Sequence, residues 1–308
     1  MENVLITGIS GALARILARS LAGAHRVCGV DVVPWRSAPQ GVRIHLADVR
    51  KRSFEDAIRR ERPDAIVHLG FIRHFQSDER HRHDVNVRGT KRLLDHCLRY
   101  GVKRLVVVSS SYVYGAFAEN PFHMTEDAPL SASRTYPEIR DLVEVDTLAS
   151  GFLWKEPSVT TCVLRPVNVI GPTAHSMAAR YLGLPRVPTV MGFDPMMQFI
   201  HEEDVAGAIA RALGCGLRGV FNVVGPGEVP VRTAIHETGG VAWPVPEVLL
   251  RSTFGTLFRL GFGDFPQGML DYLKYPVTLD GRPFAAATGF EPAHGLADCF
   301  ESVRRSRR

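Results

Sequence analysis

Lysine is scarce in this chain. Lys51, Lys91, Lys103, Lys155 and Lys274 are the only five in 308 residues, against 32 arginines. Lys+Arg is 37 and Asp+Glu is 32, so the formal charge is only +5. No basic run of useful length forms: Arg50-Lys51-Arg52 is followed at once by Glu55 and Asp56, and Arg304-Arg305-Ser306-Arg307-Arg308 is a short solvated end. Nucleic acid is therefore not an expected partner. The five cysteines (28, 97, 162, 215 and 299) are odd in number and never form a Cys-x-x-Cys pair. They read as reduced thiols of a cytoplasmic protein. No apolar run approaches the roughly 18 residues of a membrane span, and a strand begins where a leader would need its charged region.

What is present suits a globular enzyme. Hydrophobic residues make up 45% and charged residues 22%, enough for a sizeable core in one large domain or two fused ones. Short apolar runs at 4–6, 26–30, 42–46, 65–67, 104–108 and 160–164 read as buried strands. Helical spacing at 12–21, 54–60, 79–100 and 136–149 separates them. This alternation predicts an α/β fold, a Rossmann-type doubly wound parallel sheet covered on both faces. Beyond residue 165 proline and glycine become frequent and the elements shorten. The division expected is a dinucleotide-binding domain at 1–165, to which about 192–224 returns. Most of 166–308 then forms a smaller, irregular substrate domain.

Thr7-Gly8-Ile9-Ser10-Gly11-Ala12-Leu13-Ala14 lies between the first strand and the first helix. Gly8 permits the tight turn, Gly11 lets the backbone approach a pyrophosphate, and Ala14 is small enough for helix–strand packing. The free N–H groups and dipole of the helix N-terminus favour the anion. Asp31 ends the second strand, where a carboxylate accepts the ribose hydroxyls and repels a 2′-phosphate, so NAD is expected over NADP. Trp35-Arg36 lies nearby, and an arginine there would instead suit a phosphate. Asp48 follows the third strand and is a candidate for the adenine amino group, with helix capping as the alternative. After the fifth strand comes Ser109-Ser110-Ser111-Tyr112-Val113-Tyr114-Gly115, at the strand end where such sheets bind ligands. Tyr136, Arg140 and Glu144 are spaced i, i+4, i+8, which predicts one helix face.

With these stand His68-Leu69-Gly70, Asn86-Val87-Arg88-Gly89-Thr90, Arg165-Pro166-x-Asn168-Val169-x-Gly171-Pro172 and His201-Glu202-Glu203-Asp204-Val205. In this order the set resembles the extended short-chain dehydrogenases/reductases, the NAD-dependent epimerase/dehydratase group that includes UDP-galactose 4-epimerase. The match is dense to residue 225 and thin thereafter. The resemblance implies an oxidoreductase, epimerase or dehydratase that passes a hydride between NAD and a hydroxyl or keto carbon, with a nucleotide sugar as one substrate class. It implies cofactor contacts at Gly8, Ser10, Gly11, Ala12, Leu13, Asp31, Asp48, Val49, Leu69, Gly70, Asn86, Ser109, Tyr136, Arg140 and Val167. It makes Ser110 the holder of the reacting oxygen, Tyr136 the general acid/base, and Ser111 and Asn168 substrate contacts. It also implies a homodimer through the helices at about 79–100 and 136–150, whose outer faces would carry Leu93, Leu94 and Leu142, although a core face would look the same. No metal is expected: His74, His81, His83 and Asp84 lack paired-ligand spacing, and His201 and Asp204 read as helix caps.

The chain departs from the family at residue 140. The family pattern is Tyr-x-x-x-Lys, and no tyrosine here has lysine four residues on. Arg140 would keep the charge and the donors but cannot relay a proton. Two further readings therefore stay open, a catalytically degenerate NAD-binding sensor or scaffold and a dehydrogenase of a non-sugar alcohol such as a steroid-like substrate. The second draws on an apolar lid of Leu249, Leu250, Phe254, Leu257, Phe258 and Phe262, and on Phe265-Pro266-Gln267-Gly268-Met269 standing where nucleotide-sugar enzymes carry Arg-Pro-Gly-Asp.

Overall fold

The computed structural model describes residues 1–72, 78–259 and 265–306, apart from the side chains of 257 and 259. His74, Phe262, Arg307 and Arg308 lie outside the described residues. Six strands build the first half: β1 (Asn3–Thr7), β2 (Arg26–Asp31), β3 (Arg43–Leu46), β4 (Ala65–His68), β5 (Arg104–Val108) and β6 (Thr160–Pro166). Later strands are β7 (Asn168–Ile170), β8 (Arg186–Val190), β9 (Met196–His201), β10 (Gly219–Val223), β11 (Glu228–Pro230) and β12 (Val241–Val245). The main sheet has seven strands in the order β10-β6-β5-β4-β1-β2-β3, all parallel. The order reverses at β1, which has β2 on one side and β4 on the other. Such a reversal opens a crevice at the carboxyl ends of the strands.

Side chains alternate across each strand, and both faces are buried. Val4, Ile6, Val67, Val106 and Leu164 meet the helices α1 (Ala12–Leu21) and Glu202–Gly214 on one face. Leu5, Ile66, Leu105, Val107 and Val163 meet α2 (Arg52–Glu61), Gly89–Arg99 and Arg140–Lys155 on the other. Leu93 and Leu94 are buried in this second core, so the outer-face reading of these two leucines is corrected: they pack on their own sheet. Four of the cysteines are buried and Cys215 is exposed.

The second unit packs the mixed sheet β11-β9-β7 and the parallel pair β12-β8 around Tyr181, Phe199, Ile235 and Phe300. The pattern predicted for 192–224 is split between the units. Helix Glu202–Gly214 and β10 join the main sheet, whereas β9 pairs in the small one. Leu279, Phe284 and Phe290, far along the chain, also pack into the main core.

Two predicted helices differ in detail. The stretch at 79–100 is α3 (Glu79–His83), a π-helical turn over Asp84–Arg88, and then α4 (Gly89–Arg99). The helix expected from residue 136 is α5 (Arg140–Lys155), preceded by a 3₁₀ turn over Pro137–Ile139. Tyr136 has φ −131° and ψ 80°, because the proline ring that follows excludes it from helical geometry.

Candidate active site

The glycine turn sits over the crevice. Gly8 has φ +70°, and a Cβ there would meet the Gly70 Cα at 2.7 Å. The loops after β1 and β4 therefore touch through two glycines. Gly11 is the N-cap of α1, has no side chain to cap with, and no acid lies in the first turn, so the amides around Ala12 and Leu13 are open to an anion. Asp31 accepts the Ser10 amide at 2.9 Å and the Val33 amide at 3.0 Å, while Ser10 Oγ donates to Val33 O at 2.6 Å. These bonds fix a carboxylate beside the turn with lone pairs left over for ribose hydroxyls. A dinucleotide fits this arrangement.

Asp48 is placed differently. Arg50 donates to it from its amide at 2.9 Å and from its guanidinium at 2.6 and 2.9 Å, which holds the carboxyl below its ordinary range. Arg50 also bridges to Asp84 at 2.7 Å. Asp48 thus ties the loop after β3 to the π turn through Arg50. Val49 is buried beside it, and a Cβ on Gly89 would meet its Cγ2 at 2.7 Å.

A buried wire links the turn to α4. Thr90 donates its hydroxyl to Asn86 O at 2.5 Å, so it can only accept from His68 Nε2 at 3.0 Å. The His68 proton is therefore on Nε2, and Nδ1 accepts the Thr7 hydroxyl at 2.6 Å. Thr7 Oγ1 in turn accepts the Leu69 and Gly70 amides at 3.2 and 3.1 Å. Burial lowers the His68 pKa to about 3, which keeps the ring neutral. Asn86 completes the loop's support: it accepts the Ile72 amide at 2.8 Å and donates to Ile72 O at 3.0 Å. The π turn aims this side chain, in keeping with the functional bias of such turns.

Phe71 and Ile72, at the far end of the same loop, line a cavity of about 170 Å³. Ser110, Tyr112, Tyr136, Glu138, Val167 and Asn168 line it too, with Arg82, Asp141, Leu142, Met177 and Phe265. Ser110 Oγ accepts the Tyr112 amide at 3.3 Å. The Tyr112 hydroxyl donates to Asn168 Oδ1 at 2.9 Å, and Asn168 Nδ2 donates to Gln198 O at 3.0 Å. Tyr136 is fully buried, and its hydroxyl points to Met177 Sδ at 3.7 Å. Burial raises its pKa well above the tyrosine range, and Tyr112, Tyr272 and Glu138 push the same way, while Arg82 opposes them. Gly268 presses on it from the C-terminal segment: a Cβ there would meet Tyr136 Cδ2 at 2.7 Å. Glu138 Oε2 is buried and has no hydrogen-bond partner.

Three predicted residues fall elsewhere. Arg140 is exposed and does not line the cavity, and it shares a helix with Glu144 but not with Tyr136. The single face of Tyr136, Arg140 and Glu144 does not exist, because Pro137 delays the helix. Glu144 instead meets His83 at 3.3 Å and Lys91 at 3.7 Å. Ser111 is buried in the 3₁₀ turn Ser111–Tyr114, away from the cavity. Ser109 Oγ is buried without a partner at the end of β5. Two arginines line the cavity, Arg180 and Arg82; Arg82 is 4% exposed, with Nε 3.0 Å from Asp141 Oδ2. The sequence carries no local signal for that pairing, since α3 and α5 meet only in the fold. Tyr112 and Glu138 lay within or beside noted motifs but were not singled out.

The sequence matches the NAD dependent epimerase/dehydratase family over residues 4–225. An uncharacterized protein of Mycobacterium tuberculosis is 27% identical over 316 residues, covering 99% of this chain and 84% of that one. GDP-6-deoxy-D-mannose reductase of Pseudomonas aeruginosa is 27% identical over 78% of this chain and 80% of its own. Among solved structures, the UDP-glucose 4-epimerase of Thermus thermophilus in complex with NAD superposes with a TM-score of 0.77. It shares 24% identity and covers 99% of both chains, a likeness of fold.

Proposed function

The chain belongs to the NAD dependent epimerase/dehydratase family, and from that premise we propose that it oxidises or reduces a hydroxyl or keto carbon with NAD in the Tyr112–Tyr136 cavity. The observation that carries this reading is the loop after β4. One end, Gly70, packs on the glycine turn, and the other, Phe71 and Ile72, walls the cavity. A dinucleotide seated on the turn would thus reach the cavity along a loop that Asn86 and His68 hold fixed.

NAD supplies the hydride acceptor or donor when bound; the rest falls to the protein. The Gly11 to Leu13 amides would hold the pyrophosphate and Asp31 a ribose, which disfavours a 2′-phosphate. Ser110 and Tyr136 would hold the substrate oxygen. Tyr136 stays protonated in its buried position, so it serves as a donor to that oxygen. Arg82, paired with Asp141, and Arg180 are the arginines at the cavity, where position 140 brings none. Glu138, a carboxylate oxygen with no donor of its own, would accept a proton from a substrate hydroxyl.

For the substrate we propose a nucleotide sugar, supported by the GDP-6-deoxy-D-mannose reductase relative and the epimerase neighbour. One observation favours a second reading, a non-sugar alcohol: Phe71, Leu142, Val169, Met177 and Phe265 give the cavity an apolar wall. Among the described residues no helix is long and apolar enough to cross a membrane. We propose a cytoplasmic homodimer with a dinucleotide domain at 1–165 and a substrate domain over most of 166–308. Thermal-shift measurements with NAD, NADP, UDP, dTDP and GDP test the substrate reading. Stabilisation by NAD together with one nucleoside diphosphate supports a nucleotide sugar; a response to NAD alone supports the apolar alcohol. No response to NAD would refute the function.

A further inference from the structure

Outside the cavity, the junction between β9 and the helix Glu202–Gly214 gathers His201, Glu203 and His294. One ligand atom of each lies within 4.8 Å of the others. The two imidazole rings stack, with centroids 4.0 Å apart and planes at 23°. Hydrogen bonds orient both rings. Asp204, buried and bonded to the Ala293 and His294 amides, has Oδ1 3.1 Å from His294 Nδ1. That contact turns Nδ1 toward Asp204 and leaves Nε2 on the side of Glu203. His294 Nε2 faces Glu203 Oε2 at 3.4 Å. On the other ring, His201 Nδ1 accepts the Glu203 amide at 3.3 Å, so its lone pair lies there. Two imidazoles and a carboxylate thus bring three metal-type donors within reach of one point, an arrangement that a divalent cation would stabilise.

We propose that His201, Glu203 and His294 bind one zinc-type divalent cation, with Asp204 orienting His294 from behind. Two imidazole nitrogens and a carboxylate oxygen are borderline ligands that suit zinc, whereas magnesium and calcium favour oxygen alone. The Asp204–His294 contact is the outer carboxylate that such a histidine needs to fix its tautomer. The ligand atoms must draw closer on binding. The Glu203 side chain is 60% exposed and can swing, and His201 gives up one long hydrogen bond. A surface cleft lined by Pro172, Asp298 and Glu301 leaves room for water in the remaining position. None of the three ligands lines the cavity, so the cation acts as a clip. It fastens the segment before the helix Leu296–Ser306 to the start of a helix of the main core.

Chelator-stripped protein titrated with zinc chloride by calorimetry, with melting followed in parallel, tests this. We expect one equivalent bound and a raised Tm. Glu203→Gln and His294→Gln should each weaken zinc binding by about tenfold or more, and Glu203→Gln should leave the metal-free Tm unchanged. Absence of stoichiometric binding would overturn the proposal. So would binding that both variants leave intact, which would assign the zinc to groups such as the exposed Cys215.

Discussion

Arg82 Nε lies 3.0 Å from Asp141 Oδ2, both side chains buried, in the wall of the cavity that also holds Tyr136. The pair joins α3 to α5 at the cavity, where the position four residues after the tyrosine places no side chain. Charge at the site follows from this pair. Arg82→Leu strands a buried carboxylate and should cost about 3–5 kcal/mol in denaturant unfolding. Arg140→Ala, at an exposed position, should change stability by less than about 0.5 kcal/mol and leave turnover intact.

The neutral His68 makes stability depend on pH. Its folded pKa, about 3, is below the ordinary 6.5, so the unfolded chain binds the extra proton. The contribution is complete above about pH 6.5 and is lost as pH falls from there toward 3. Between pH 6.5 and 4.5 the loss should reach roughly 2–3 kcal/mol. Urea unfolding at both values should show it, and His68→Gln should flatten that part of the profile.

A second buried pair braces β6 against α5. Arg165 grips Asp146 through two bonds of 2.9 and 2.7 Å and donates to the Tyr114 hydroxyl at 2.8 Å. Asp146→Ala should destabilise by about 3–5 kcal/mol, and the double variant with Arg165→Met should cost less than the sum of the single changes.

Gly268 is where the C-terminal segment seats Tyr136. A methyl group there meets Tyr136 at 2.7–2.8 Å, and the backbone itself is unstrained, so the clash alone acts. Gly268→Ala should cost about 1–3 kcal/mol. It should also lower turnover more than NADH affinity, measured by fluorescence.

Much of this was legible locally. Continuous apolar strand runs and the Gly8–Gly11 turn are set by neighbours in sequence, and Asp31 follows from the end of β2. The register of Tyr136 and Arg140 was not, because a spacing of four fits one helix face whereas Pro137 holds the tyrosine outside the helix. The fold of Arg50 back onto Asp48, two residues before it, is a side-chain arrangement that no spacing rule shows. Arg82 with Asp141, and His201 with His294, come together only through tertiary packing, so no spacing rule reveals them.

The central claim, a dinucleotide on the glycine turn read by Asp31, has a direct test: fluorescence titration of the protein and of Asp31→Ala with NADH and NADPH. Wild type should bind NADH at least about tenfold more tightly than NADPH, and the variant should lose that preference by weakening NADH. Equal binding of both by wild type, or an Asp31→Ala protein that binds NADH unchanged, would contradict the account.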